Sequence, residues 1–237
     1  MNARLIKTDH PADHTLGFVI EVDEPFEFRA GQSCDLTLVN PPHEDGKGST
    51  RTFSITSAPS ESPRLMFVTR QTGSSFKRSL EDGPLGMAIE VDGPWGSFVL
   101  HDDAARPAVL LAGGIGITPF RSMIKDAVER RLAHAITLLY SNRTQSSAAF
   151  FSDFVTWSHV KRNFTFVPTL TDPPADGSWH ARTGVIDGGL IAEQRGSAAA
   201  PIYYAAGPAA FVKAMRRALF DAHVRPSDIQ TEEFPGY

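Results

Sequence analysis

Leu110-Leu-Ala-Gly-Gly-Ile-Gly-Ile-Thr-Pro-Phe120 carries an apolar run into a cluster of glycines and straight out into a helical pattern. It reads as strand, glycine turn, helix. Gly113, Gly114 and Gly116 have no side chain to hold a ligand off the backbone, and the helix start presents unpaired N–H groups with partial positive charge. Phosphate suits such a corner. Thr118 is placed to cap the helix with Pro119 in its first position, and Phe120, Met123, Ile124, Ala127 and Val128 recur at helical spacing on one face. A tight strand-to-helix turn also needs glycine for steric reasons alone, so a phosphate reading and a packing reading stand side by side.

From that corner towards the C-terminus, strands alternate with helices. The pattern predicts a strand over 108–111, a helix over 119–130 and a strand over 136–140, then a helix marked by Phe150, Phe151, Phe154, Val155 and His159. Strands over 164–169 and 202–205, a helix over 209–221 and a last strand over 229–234 follow; 171–177 is a surface loop and 198–200 a spacer. Such alternation indicates a parallel sheet with crossover helices. Towards the N-terminus the rhythm differs. Residues 16–22, the alternating Cys34, Leu36 and Leu38, the pair Phe53 and Ile55, and residues 65–68 and 87–91 read as short strands between Pro- and Gly-rich turns, with one short helix over 74–80. An antiparallel barrel or sandwich fits that half. The expectation is therefore two domains, an antiparallel β-barrel or sandwich over 1–103 and an α/β domain with a parallel sheet over 104–237.

Composition narrows the partners. With 237 residues, 41% hydrophobic content and a formal charge of -4, the chain carries no broad basic field, which argues against nucleic acid or an anionic membrane as main partner. Basic pairs such as Lys77-Arg78, Arg130-Arg131, Lys161-Arg162 and Arg216-Arg217 read as solvated faces. A single cysteine, Cys34, rules out an intrachain disulfide and a cysteine-ligated iron-sulfur cluster within these residues, so a one-electron carrier is expected to be separate. The opening Met-Asn-Ala-Arg-Leu-Ile-Lys has no apolar core of signal-peptide length, and no stretch approaches the roughly 18 apolar residues of a membrane span. A cytoplasmic location is the expectation.

Two further stretches carry chemistry. Arg51-Thr-Phe-Ser54 alternates a cation, an aromatic ring and hydroxyls along a strand, with Arg51 and Phe53 sharing a face. Its plain reading is a half-buried strand with Phe53 in the core. Gln71-Thr-Gly73-Ser74-Ser75 precedes a short helix and offers either a second anion site or an ordinary serine cap. His10, His43, His101, His159 and His180 show no paired metal-ligand spacing and read as surface or loop residues, so no metal site is expected.

Taken in order, Arg51-Thr-Phe-Ser54, Gly73-Ser-Ser75, Gly93-Pro-Trp-Gly96, Gly113-Gly-Ile-Gly-Ile-Thr-Pro119, Ala206-Gly-Pro208 and Glu232-Glu-Phe234 resemble the motif series of the ferredoxin-NADP reductase superfamily over nearly the whole chain. The resemblance implies a flavin-binding barrel joined to a nicotinamide-nucleotide domain. It implies that Arg51 pairs with flavin phosphate, Thr52 lies in the same motif, Phe53 stacks on the flavin where most members have tyrosine, and Ser54 lies near the atom that accepts hydride. Gly73, Ser74 and Ser75 would hold the flavin phosphates, with FAD favoured over FMN. Gly113, Gly114, Gly116 and Thr118 match the nicotinamide-nucleotide turn. Ala206-Gly207-Pro208 stands where many relatives have Cys-Gly-Pro, which removes a thiol from the nicotinamide. Ser141 and Arg143 fall in the region that selects NADPH or NADH, with NADPH favoured. Phe234, helped or replaced by Tyr237, would cover the flavin, and Glu232 would relay a proton. The implied function is a flavoprotein oxidoreductase that takes hydride from NADPH or NADH onto FAD and passes electrons to a separate ferredoxin, flavodoxin or oxygenase component. Two alternatives remain: reduction of free flavin or ferric chelates, and a non-catalytic relay subunit.

Overall fold

The computed structural model describes residues 1–194 and 200–234 and divides them between two sheets. The first comprises β1 (Asn2–Asp9), β2 (Thr15–Val22), β3 (Ser33–Leu38), β4 (Thr50–Ser54), β5 (Arg64–Arg70) and β6 (Ala88–Trp95) in the order β4-β3-β6-β1-β2-β5, every pairing antiparallel. Alternation builds its core, with Phe18, Ile20, Leu36, Leu38, Leu65 and Phe67 buried. The N–H of Thr56 donates to Met66 O at 2.8 Å, and that of Met66 to Ser57 Oγ at 3.0 Å. These bonds draw the segment after β4 against β5 and curl the sheet towards closure. Helix α1 (Ser75–Asp82) lies between β5 and β6, capped by Ser74. Strand β1 was not anticipated, because only Ala3 and Leu5 point inward while its other positions are exposed or half-buried.

The second sheet comprises β7 (Ala108–Gly113), β8 (Ile136–Asn142), β9 (Phe164–Leu170), β10 (Arg182–Thr183), β11 (Ile202–Pro208) and β12 (Ile229–Phe234), all parallel, in the order β10-β9-β8-β7-β11-β12. Helices α2 (Ile117–Glu129), α3 (Phe151–Val160), α4 (Gly188–Glu193) and α5 (Ala209–Asp221) connect the strands. Every residue of β7 is buried, as a strand covered on both faces requires. From β7 the chain builds outward through β8 and β9, then crosses to β11 on the other side. Ligands in open parallel sheets bind at such a reversal, here between β7 and β11.

Several expectations need correction. The helix after the glycines begins at Ile117, before Pro119, because a 3-10 turn over Gly114–Gly116 runs straight into it. Gly116 is the N-cap, and Thr118, already inside the helix, donates its hydroxyl back to Ile115 O at 3.2 Å. Lys161 is buried and its Nζ donates to Leu132 O at 2.6 Å, so that cation anchors a turn. His101 is structural as well: its Nδ1 accepts from the Tyr204 hydroxyl at 2.9 Å, and its carbonyl accepts from His134 Nε2 at 2.8 Å. The short β10 and α4 were not anticipated. Most of the 198–200 spacer lies outside the described residues.

Helix α2 locks onto the first sheet. Arg121 Nη1 donates to Thr56 O at 3.0 Å, Ser122 Oγ to Ser57 O at 2.6 Å, and Lys125 pairs with Glu61 at 3.6 Å. Arg121 is itself buried, 3.5 Å from Glu61 and 3.4 Å from Asp153. Elsewhere along the boundary the Asp13 N–H donates to Ser146 O at 2.9 Å. Among the described residues, no helix is long and apolar enough to cross a membrane.

Candidate functional site

A cleft of about 1010 Å³ opens where β4, the start of α1, the glycine corner and β12 meet. Arg51, Thr52, Phe53 and Ser54 line it from β4, Gly73, Ser74 and Ser75 from the start of α1, Thr118 from α2, and Glu232 and Phe234 from β12.

One end is built for an anion. Gly73 turns the chain at φ +70°, and Ser74 accepts from the Lys77 N–H, leaving the N–H groups of the first turn of α1 at the cleft. Lys77 Nζ donates to Arg70 O at 2.7 Å and Thr72 Oγ1 at 3.2 Å. Burial and the charge of Arg51 hold its pKa below the ordinary lysine value. Arg51 stands over the Phe76 ring at 5.6 Å and donates to the carbonyls of Lys47, Gly48 and Thr50 at 3.2, 3.0 and 2.6 Å. Two neighbouring cations at a helix N-terminus suit phosphate. Lys77 is thus no solvated residue; its clue was a position in the first turn of a helix already marked by glycine and serines. Thr52 donates its hydroxyl to Asp35.

Phe53 serves two surfaces. Half-buried, it meets Phe18 edge-on at 5.6 Å and Phe76 at 5.7 Å, and it also lines the cleft. The core reading and the ligand-facing reading therefore describe different parts of one ring.

At the other end Ser54 Oγ donates to Glu232 Oε1 at 2.6 Å, joining side chains 178 positions apart. Burial raises the Glu232 carboxyl from 4.5 to about 7, against the lowering effect of the Ser54 hydrogen bond. Near neutral pH such a group both gives and takes a proton.

The glycine corner answers to packing. A Cβ on Gly116 would stand 2.2 Å from Ala206 O, and one on Gly113 would stand 2.7 Å from the Phe211 ring. Gly114 and Gly207 adopt φ +53° and +153°. These glycines let the turn after β7 press against β11, and the cleft wall there is Ile115 and Thr118 rather than the glycines. Ala206 is fully buried and Pro208 ends β11; neither lines the cleft. Ser141 and Arg143 stand apart from it at the end of β8, where Arg143 is exposed and 3.9 Å from Asp172. Tyr237 lies outside the described residues.

Residues 110–217 match the family model described as the oxidoreductase NAD-binding domain. The chain is 29% identical over 220 residues to the phenol 2-monooxygenase reductase component DmpP of Pseudomonas sp. (strain CF600), covering 92% of this chain and 61% of that protein. It is 27% identical over 219 residues to the terephthalate 1,2-dioxygenase reductase component 2 of Comamonas sp., covering 91% of this chain and 62% of that protein. The chain therefore spans only about three fifths of these relatives. Among solved structures, the Amycolatopsis cytochrome P450 reductase GcoB superposes with a TM-score of 0.84 at 25% identity, covering 99% of this chain and 70% of that one. A ferredoxin NADP+ reductase from Neisseria gonorrhoeae with bound FAD and NADP superposes with a TM-score of 0.80 at 20% identity, covering 98% of each chain, and shares the fold. The nucleotide-domain model thus falls on the second sheet, the relatives named as reductase components align across both sheets, and the chain shares its two-sheet fold with these solved reductases.

Proposed function

We propose that this chain is an NAD(P)H-dependent flavoprotein reductase unit acting in the cytoplasm, in which residues 1–103 hold FAD and residues 104–237 receive NADPH or NADH. The observation that carries the reading is the Ser54–Glu232 pair, a buried carboxyl poised near neutrality on the wall of a cleft whose far end gathers cations around a helix start.

The residues present fit such a cofactor. The cleft is ample for a dinucleotide, Arg51, Lys77 and the α1 N-terminus suit its phosphates, and Phe53 offers it an aromatic surface. Bound FAD supplies an acceptor for two electrons that can be released singly. Ser54 holds the Glu232 carboxyl in place, and Glu232 gives or takes the proton that accompanies the change in charge. Phe234 lines the cleft beside Glu232 and screens that end from water until nicotinamide enters. The names of the relatives support a separate oxygenase component as electron acceptor, with ferredoxin or flavodoxin as related choices.

Anaerobic stopped-flow absorbance tests the proposal, mixing the FAD-loaded protein separately with NADPH and NADH. Rapid bleaching of the flavin band is the expected result, and the faster nucleotide identifies the donor. Retained flavin that neither nucleotide reduces would leave the chain a binding or relay subunit.

A further inference from the structure

Helix α5 turns Val212, Met215 and Leu219 onto the second sheet, which sends Lys213, Arg216, Arg217 and Phe220 outward along one stripe of its surface. The stripe lines a groove of about 570 Å³ that it shares with Glu233 of β12. Among the described residues neither Lys213 nor Arg216 is in an ion pair, and Arg217 has only Asp221, 3.9 Å away. Phe220, 46% exposed, adds an apolar surface at the end of the stripe. Arginine and an aromatic ring together on a shallow groove are the composition of a protein interface, where the ring gives desolvated contact and the cations meet opposite charge. All three cations are exposed, so a small anion would be held against full competition from water, whereas an acidic surface engages the whole stripe at once. Against a formal charge of -4 the stripe is a local exception, too few cations for a nucleic acid or an anionic membrane and enough to orient an acidic protein. Its position indicates what such a partner does. Glu233 lines both this groove and the large cleft, so the stripe runs up to the end of the cleft where Ser54 and Glu232 meet.

We propose that the exposed face of α5 is the docking surface for the acidic protein that takes electrons from this chain, with Phe220 as its apolar anchor and Lys213, Arg216 and Arg217 as its charged rim. The inference rests on the reductase reading above for what the partner does, and adds where it sits and what charge it carries. Each NAD(P)H oxidised to NAD(P)+ and a proton delivers two electrons, one to each of two partner molecules that dock in turn. A partner on α5 lies against β12, beside the reacting end of the cleft.

The test measures binding and electron transfer separately with the FAD-loaded full chain. A fluorescently labelled, acidic iron–sulfur ferredoxin is titrated by anisotropy at low and at high salt with the natural protein, with Lys213→Glu/Arg216→Glu, and with Arg131→Glu/Arg162→Glu, which makes the same change of charge at exposed positions beyond α2 and α3. Reversal on α5 should weaken binding about tenfold or more at low salt and by less at high salt, and the control pair should change it less than about twofold. Phe220→Ala should weaken binding by a similar factor at both salts, because its contact is apolar. Reduction of ferredoxin by NADPH or NADH should fall in step, while menadione, a small neutral acceptor that needs no docking surface, is reduced at the natural rate. All the substituted side chains are exposed, so the variants should fold, and circular dichroism verifies it. No binding by the natural chain, equal losses in the two paired variants, or unchanged affinity in Lys213→Glu/Arg216→Glu would overturn the proposal. So would binding of duplex DNA, of phosphatidylserine vesicles or of a second copy of the chain in place of ferredoxin, lost in the same variant. Flavin that neither nucleotide reduces would instead overturn the reductase reading, while the anisotropy still decides whether α5 takes an acidic protein.

Discussion

Replacing Glu232 with Gln separates the ionisation of this side chain from its hydrogen bonding, because the amide oxygen still accepts from Ser54 while the group no longer titrates. In the folded chain burial raises the carboxyl from 4.5 to about 7. The folded state therefore holds the proton more tightly than the unfolded chain does. The stability this provides is fully present below about pH 4.5 and is lost as pH rises through about 7. The full displacement corresponds to about 3 kcal/mol. Urea unfolding of the flavin-free protein, followed by far-ultraviolet circular dichroism from about pH 5 to about pH 8, reads it directly. The stability of Glu232→Gln relative to the natural chain should rise by about 2.5 kcal/mol over that range, at about 1 kcal/mol per pH unit in its middle. All other titrating groups are common to both proteins and cancel in the difference. A gap that stays constant with pH would show that Glu232 ionises in the folded protein as it does in the unfolded one, and the proton-relay role would lose its physical basis.

Three other substitutions test separate parts of the argument. Arg51→Ala should weaken FAD binding about tenfold or more in a fluorescence titration, and unchanged affinity would remove Arg51 from the phosphate site. Gly116→Ala places a methyl group 2.2 Å from Ala206 O, so unfolding in urea should register a loss of about 2 to 3 kcal/mol. A variant as stable as the natural protein would mean that the turn does not press on β11 as described. Arg121→Met leaves the Thr56 carbonyl, Glu61 and Asp153 without their shared cation, and a loss of about 2 to 3 kcal/mol is expected by the same measurement. A change under about 0.5 kcal/mol would refute the claim that this cation joins the two sheets.

The parts of this structure that repeat locally were legible in the sequence. Helix α5 falls on the residues that its periodicity marks, and β12 runs to Phe234 as expected. The parts that depend on distant partners were not. No spacing reveals that Ser54 meets Glu232; only the motif series placed both near one ligand. Lys161 and His101 look like surface residues because their partners, Leu132 O and the Tyr204 hydroxyl, lie far along the chain. Thr118 carries the composition of a cap, yet the 3-10 turn over Gly114–Gly116 starts the helix before it. Strand β1 escaped notice because too few of its positions face the core to produce a clear alternation.

Helix α2 begins at the glycine corner and carries Arg121, Ser122 and Lys125 onto Thr56, Ser57 and Glu61. Thr56 is two residues beyond Ser54. One wall of the cleft is thus bolted to the other next to the reacting end, as the fixed jaw of a vice is cast with its bed. In the proposed function a nicotinamide ring would not enter by a hinged opening of the two halves, because hinging would tear out a buried arginine and serine. Admission must come from small displacements at the β12 end, where Phe234 stands. Side-chain motions of that kind run on picosecond to microsecond scales, well ahead of domain opening. If the proposed function holds, entry of the donor is quick, and the slow event in a turnover lies in chemistry or in handing electrons on.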